Sequence, residues 1–151
     1  MKVFVDTNVI LEYFMHREEY VTAEALFKIS HRDDIQMFLS VGAFYTIHYI
    51  VLKYLRKEQR LVGNDCVTSL RTIMKQILNM FDVAEHDKDS LLRGVSDLNY
   101  SDLEDSCQYQ VAEKMGCPYF LTFNVKDYPV GDNVPVKVLT PQQFLELRIS
   151  E

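Results

Sequence analysis

Short apolar runs alternate with amphipathic stretches along the whole sequence, and this alternation limits the possible folds more than any other feature. Strands are predicted at 2–6, 35–39, 80–86, 118–122 and 136–139. Most of these runs are continuously apolar, which is typical of strands that are buried on both faces of a parallel sheet. The predicted fold class is therefore α/β, with a central parallel sheet of about five strands.

Helical periodicity fills the segments between the predicted strands. Thr7 or Asn8 is expected to cap a first short helix that runs through Phe14. Ser101 and Glu104 fit an S-x-x-E capping box at the start of a later helix, which Gly116 ends. Further helices are predicted at 20–30, 41–60 and 87–95, through Val67–Leu78 after a break at 63–65, and from Pro141 behind a Thr140 cap.

Length and composition indicate one globular domain over residues 1–151. Apolar residues make up 48% of the chain and charged residues 25%, which is enough apolar material for a sizeable core. No apolar run approaches the roughly 20 residues that a membrane helix needs, so no membrane segment is predicted. Three cysteines without a CxxC spacing argue against a disulfide framework and favour reduced thiols in the cytoplasm.

The net charge of −6 argues against a protein that coats nucleic acid along its whole surface, since such proteins are basic overall. It leaves room for a local basic patch beside an acidic site. Lys53, Arg56, Lys57 and Arg60 have the i, i+3, i+4, i+7 spacing of one side of a predicted helix. That side is either a phosphate-contacting surface or a solvated helix face.

Acidic and amide side chains follow the predicted strands or begin the helices between them. Asp6 ends the first strand, Asp102 and Asp105 begin the helix before the fourth, and Asn124 and Asp127 follow the fourth. Ligands of open α/β sheets bind beyond the carboxyl ends of the strands, so these groups can converge there. Clustered oxygen ligands are typical of Mg²⁺ or Mn²⁺ sites, and such ions support phosphodiester cleavage.

Each of these residues also has an ordinary structural explanation, because aspartate and asparagine are common helix caps and turn residues. Two other enzyme classes fit poorly. A haloacid dehalogenase-type phosphatase needs D-x-D after the first strand, and Asn8 holds the place of the second acid. A receiver domain needs an aspartate after the third strand, where this sequence reads AEH.

Two longer segments carry a family resemblance. VFVDTNVILEYF resembles the opening motif of PIN-domain proteins, and SDLEDSCQYQVAEKMGCPYFLTFNVKDY resembles their second half. The order and spacing of the motifs match across nearly the whole chain. The resemblance implies a three-layer α/β/α domain with Mg²⁺- or Mn²⁺-dependent ribonuclease activity. Many small bacterial members are VapC-like toxins that an antitoxin protein holds inactive, and many form homodimers.

By this resemblance Asp6 is a metal ligand and Asp105 is the acid of the D-S-C-Q-Y-Q-V-A helix. Asp102 is a further acid, so the expected catalytic set is Asp6, Asp102 and Asp105. Asn124 takes the last acidic position of the motif, and Asp127 lies in its trailing part. Both are expected to complete the metal site, while the four basic residues named above are expected to contact RNA.

One position departs from the family pattern. The helix after the second strand usually carries a glutamate, but LSVGAFYTIHYIVLKYL contains no acid, and Thr46 holds the matching position. Glu12 and Glu104 are the candidate substitutes. The alternative interpretation is a catalytically weak or inactive PIN-like domain that binds RNA or a protein partner.

Overall fold

The structure, a computed structural model, describes residues 1–30, 32 and 34–150 of the chain. The strands in this part of the chain form one sheet: β1 (Lys2–Val5), β2 (Gln36–Ser40), β3 (Asp82–Ala84), β4 (Tyr119–Leu121) and β5 (Lys137–Leu139). Their order is β3-β2-β1-β4-β5, and every neighbouring pair is parallel. The predicted α/β fold with a five-stranded parallel sheet is confirmed.

Helices connect β1 to β2, β2 to β3 and β3 to β4, whereas a loop with a short 3₁₀ turn leads from β4 to β5. The described residues form α1 (Thr7–Phe14), α2 (Tyr20–Ile29), α3 (Val41–Lys57), α4 (Gly63–Met80), α5 (Lys88–Ser96), α6 (Leu103–Lys114) and α7 (Pro141–Ser150). None of these helices is long and apolar enough to span a lipid bilayer. The three cysteines are buried and unpaired.

The side chains of β1 point alternately into two separate apolar layers. Val3 and Val5 pack with residues of α1, α2, α3, α4 and α7, while Phe4 packs on the opposite face with residues of α6. The Phe4 ring stacks on Phe120 of β4 with a centroid distance of 5.2 Å. These side chains are fully buried, and each contributes about 1.5–3 kcal/mol of hydrophobic stabilisation. The sheet is therefore the middle of three layers.

A close crossing of α5 and α6 fixes the beginning of α6. A Cβ atom on Gly94 would lie 2.7 Å from Sγ of Cys107 and 2.9 Å from its Cα atom, so only glycine fits there. The Ser106 hydroxyl donates a hydrogen bond of 2.7 Å to the Gly94 carbonyl. Glu104 and Asp105 lie in this anchored first turn of α6.

Several predicted element boundaries are wrong. The helix predicted to reach residue 60 ends at Lys57, and Arg60 lies beyond it with a φ of 52°. The break predicted at 63–65 is instead the start of α4, because Gly63 takes the positive φ that leads into this helix. Since α4 continues to Met80, β3 is shorter than predicted.

The helix caps also differ from the sequence prediction in two places. The first helix begins at Thr7, so Asp6 rather than Thr7 or Asn8 is at its N-cap position, and Asp6 makes no capping hydrogen bond with its side chain. The predicted box of Ser101 and Glu104 is wrong, because Asp102 is the N-cap of α6. The side chains of Asp6 and Glu104 therefore do not cap a helix, and both are available for other contacts.

Candidate active site

Asp6 lies at the carboxyl end of the central strand and is only 3% exposed. Its Oδ2 atom accepts hydrogen bonds from Thr122 Oγ1 (2.8 Å), Asn8 Nδ2 (2.9 Å) and Tyr128 Oη (3.2 Å). Its Oδ1 atom accepts one from Gln108 Nε2 at 3.2 Å. The carboxylate that ends β1 is therefore held by neutral donors from four parts of the chain.

Asn8 and Thr122 join the turn after β1 to the turn after β4. Asn8 Nδ2 donates to Thr122 Oγ1 at 3.0 Å, and Asn8 Oδ1 accepts from the backbone N–H of Phe123 at 3.1 Å. Thr122 Oγ1 also accepts from the backbone N–H of Asn124 at 3.0 Å. These bonds satisfy both side chains and fix the position of the loop that carries Asn124.

Tyr128 bridges two carboxylates. Its hydroxyl lies 3.0 Å from Asp105 Oδ1 and 3.2 Å from Asp6 Oδ2, and its single proton is shared between them. Burial, followed by the charges of Asp6 and Asp105, raises the pKa of Tyr128, so the phenol stays neutral. The ring is anchored on Phe120 with a centroid distance of 4.7 Å.

Asp6 and Asp105 disfavour each other's ionisation. Burial is the main cause that raises the pKa of Asp6, and the hydrogen bonds from Thr122, Gln108 and Tyr128 oppose it. Burial and then the charge of Asp6 raise the pKa of Asp105 to about 7. A carboxyl pair of this kind is common in functional sites, where a bound cation relieves the repulsion.

Two of the three other residues predicted for the metal site, Asp102 and Asp127, lie close enough to Asp105 to affect its ionisation. Asp102 is exposed, and its Oδ1 atom caps α6 by accepting from the backbone N–H of Asp105 at 3.1 Å. Asp127 is half-buried in a short 3₁₀ turn, and Asn124 is exposed at the beginning of that turn. The charges of Asp102 and Asp127 both raise the pKa of Asp105, so these groups act on the same site.

Glu104, for which the sequence predicts either a capping box or a substitute for the missing glutamate, contacts the residues around Asp6 and makes no capping box. Its Oε1 atom accepts from Thr7 Oγ1 at 2.9 Å and from Gln108 Nε2 at 3.4 Å. Its Oε2 atom accepts from Thr46 Oγ1 at 3.0 Å. The supporting roles of Gln108 and Tyr128 were missed. The spacing of Gln108, four residues after Glu104 and three after Asp105 on the same predicted helix, is the sequence signal that indicates the first of these.

The basic residues are exposed, and three of them are on α3. Lys53, Arg56 and Lys57 lie in its last turns, and the Lys53 ammonium is 5.2 Å from the centre of the Tyr49 ring. Arg60 lies beyond the end of α3, so the predicted alignment of all four residues on one helix face is wrong. Lys53 and Lys57 share a groove with Arg17.

The chemistry of these ligands suits a hard divalent cation. The described residues contain no group of three or more histidine, cysteine, aspartate or glutamate side chains already arranged to hold a metal ion. Mg²⁺ is, however, usually bound through one or two carboxylates and retains several waters. Asp6 and Asp105, which share the Tyr128 hydroxyl, are two neighbouring carboxylates that could hold such an ion.

Known proteins resemble this chain in sequence and in fold. Ribonuclease VapC1 of Aquifex aeolicus (strain VF5) is 28% identical in an alignment of 150 positions, which covers 96% of this chain and 94% of that protein. The structure of VapBC2 from Rickettsia felis, bound to a DNA fragment from its promoter, matches with a TM-score of 0.63 and 14% identity. That match covers 92% of this chain and 99% of the matched chain.

A second solved structure, Mycobacterium tuberculosis VapC20, a toxin that cleaves the sarcin-ricin loop, has the same fold. It matches with a TM-score of 0.55 and 15% identity over 78% of this chain and 86% of its own. The family model for the PIN domain matches residues 2–126, which include Asp6, Glu104, Asp105 and Asn124. On this match over most of its length, the chain belongs to the PIN-domain family.

Proposed function

We propose that this protein is a Mg²⁺- or Mn²⁺-dependent endoribonuclease of the PIN type. The observation that carries the proposal is the buried Asp6 carboxylate beside Asp105 at the carboxyl edge of the sheet. Neither group has a salt-bridge partner among the described residues. Homology to Ribonuclease VapC1 over almost the whole chain supports the same activity.

In the proposed mechanism Asp6 and Asp105 would hold the ion, with Asp102, Asn124 and Asp127 as the further polar side chains of the site. A bound divalent ion lowers the pKa of a water and stabilises negative charge on a phosphoryl oxygen. Asp6 is fixed by its four hydrogen-bond donors, so it offers its oxygens without rotating. The Tyr128 hydroxyl keeps the two carboxylates in place before the ion binds.

The substrate is a single RNA strand in this proposal. Lys53, Arg56 and Lys57 project from the end of α3, where they are available to phosphates. Arg60 follows them in the exposed connection to α4. Single-stranded RNA suits a site formed from exposed loops and helix ends, because its backbone can bend into the site.

Cleavage of a labelled single-stranded RNA tests the activity, with Mn²⁺, Mg²⁺ or EDTA present. Asp6→Asn keeps the side-chain shape but removes the buried charge, so we expect cleavage to fall by at least about 100-fold. Asp132→Asn, at an exposed loop position, is the matched control and should cleave normally. Cleavage that persists in EDTA or in Asp6→Asn would contradict the assigned site.

We further propose that the protein is the toxin of a toxin–antitoxin pair and that a second protein holds it inactive. The similarity to Ribonuclease VapC1 and the VapBC2 complex support this role. Induced expression in bacteria should arrest growth for the wild type and not for Asp6→Asn. Normal growth with active enzyme present would exclude toxicity but leave the nuclease intact. Homodimer formation stays a prediction.

The inactive binding module is the competing function, and Thr46 at the usual glutamate position favours it. Under that alternative the wild type would bind RNA without cutting it and would show no measurable Mn²⁺ binding by calorimetry. The carboxylates of Asp6 and Asp105 would then have no metal-dependent role.

A further inference from the structure

The Glu104 carboxylate is positioned by three helices. It accepts hydrogen bonds from Thr7 of α1 (2.9 Å), Thr46 of α3 (3.0 Å) and Gln108 of α6 (3.4 Å). All three donors are neutral, and no salt bridge to Glu104 occurs among the described residues. A half-buried charge held in this way keeps a net negative potential at the site.

Thr46 has the position at which PIN-domain proteins usually carry their glutamate. Its hydroxyl has no charge to offer a cation, but it donates to Glu104 Oε2. The Glu104 carboxylate of α6 therefore lies at the position on α3 where the family glutamate is missing. Glu12, the other candidate substitute, instead accepts from the backbone N–H of Glu19, where it joins α1 to the start of α2.

The Gln108 amide connects Glu104 to the buried centre of the site. Its Nε2 atom donates to Asp6 Oδ1 at 3.2 Å and to Glu104 Oε1 at 3.4 Å. Gln108 is 1% exposed, and its Oε1 atom has no hydrogen-bond partner among the described residues. A single buried amide thus lies between two carboxylates and has an unused acceptor beside them, which favours an additional polar or cationic ligand at this point.

We propose that Glu104 supplies the third negative charge of the cation site and replaces the glutamate that is missing from α3. This inference rests on the proposed metal-dependent function. Glu104 acts together with Asp6 and Asp105 on the bound ion, and Thr7, Thr46 and Gln108 are its positioning residues. The departure at Thr46 is then an exchange of the acidic charge between two helices and not the loss of that charge.

Calorimetry with Mn²⁺ alone and cleavage of labelled RNA together test this role. Glu104→Gln can keep the hydrogen bonds to Thr7 and Thr46 but has no charge. We expect it to bind Mn²⁺ about 10- to 100-fold more weakly and to cleave correspondingly more slowly. Glu113→Gln, at an exposed position near the end of the same helix, is the matched control and should match the wild type in both measurements.

A relocation variant separates charge from local packing. Thr46→Glu combined with Glu104→Gln returns the acid to α3, and we expect it to recover at least part of the Mn²⁺ affinity that Glu104→Gln loses. Thermal unfolding of each variant in EDTA checks that it is folded. The relocation variant also keeps the test decisive if Glu104→Gln alone does not fold.

Two results would overturn the inference, and they differ from each other. If Glu104→Gln binds Mn²⁺ and cleaves as the wild type does while Asp6→Asn loses both, Glu104 has no role and the proposed nuclease remains. If the wild type neither binds Mn²⁺ nor cleaves RNA, the proposed function fails and the inference fails with it.

Discussion

Asp105 makes the stability of the metal-free protein depend on pH. Burial and the neighbouring Asp6 raise its pKa from an ordinary value of 3.8 to about 7. Between these two values the folded protein binds a proton that the unfolded chain releases. The free energy of unfolding therefore decreases as the pH rises through this window. Below the window both states are protonated, and Asp105 no longer lowers the free energy of unfolding. The raised pKa of Asp6 acts in the same direction.

We expect Asp105 to lower the unfolding temperature of the metal-free protein more at about pH 8 than at about pH 5, whereas the pKa of His86, which burial lowers, acts in the opposite direction. Asp105→Asn removes the titrating group, so it should stabilise the metal-free protein at the higher pH and reduce the pH dependence. Calorimetry in EDTA across this range measures both effects, with Asp132→Asn as the control. If the unfolding temperature of Asp105→Asn depended on pH as strongly as that of the wild type, Asp105 would not be the group that titrates.

Helix α6 depends on Asp102 for its cap, and this structural role can be separated from the predicted role at the metal. The Asp102 side chain satisfies the backbone N–H of Asp105. Asp102→Ala should lower the free energy of unfolding by about 1 kcal/mol, whereas Asp102→Ser can cap the helix and should lower it much less. Urea unfolding of the two variants measures the difference.

Asp102→Ser also removes a negative charge near Asp105, so we expect weaker Mn²⁺ binding in a protein of nearly normal stability. The comparison with Asp102→Ala distinguishes an effect on the ion from an effect on the helix. Wild-type Mn²⁺ affinity in Asp102→Ser would restrict Asp102 to the capping role.

The elements that the sequence predicted well are those whose signal is local. A buried strand is a short apolar run, so the strands of the parallel sheet could be recognised one by one. The carboxyl end of β1 carries Asp6, and the first turn of α6 brings Asp105 to the same Tyr128 hydroxyl. The end of α3 could not be predicted, because Arg60 continues the helical spacing of Arg56 and Lys57 beyond the last helical residue.

The sequence permits two interpretations of Glu104, a capping box with Ser101 and a substitute for the glutamate missing from α3, and it cannot decide between them. The S-x-x-E spacing of Glu104 from Ser101 is a strong local signal for a capping box, and the hydrogen bond that overrides it comes from Thr46, which is 58 residues away. Gln108 and Tyr128 were missed for the same reason, since each reaches Asp6 over more than 100 residues of sequence. Tertiary hydrogen bonds of this kind leave no periodic pattern.

The molecule as a whole has the same sign of charge as RNA. Its net charge is −6, and the carboxylates at the site add local repulsion that a bound cation offsets. Association with RNA therefore has to depend on a local basic surface. Lys53, Arg56 and Lys57 at the end of α3, with Arg17 in the adjoining groove, form the surface that fits this requirement best.

Binding of single-stranded RNA should consequently weaken as salt rises. Each phosphate that a lysine neutralises contributes about 0.7 to the slope of log K against log salt concentration. In the Asp6→Asn background, where RNA stays intact, replacing Lys53 and Lys57 by alanine should weaken binding and reduce that slope by about 1.4. Fluorescence anisotropy at several salt concentrations measures the slope.

The Lys75→Ala/Lys88→Ala variant is the control, because it changes the net charge equally at exposed positions on α4 and α5. An equal loss of RNA affinity in both variants would show that the overall charge, and not the end of α3, governs binding.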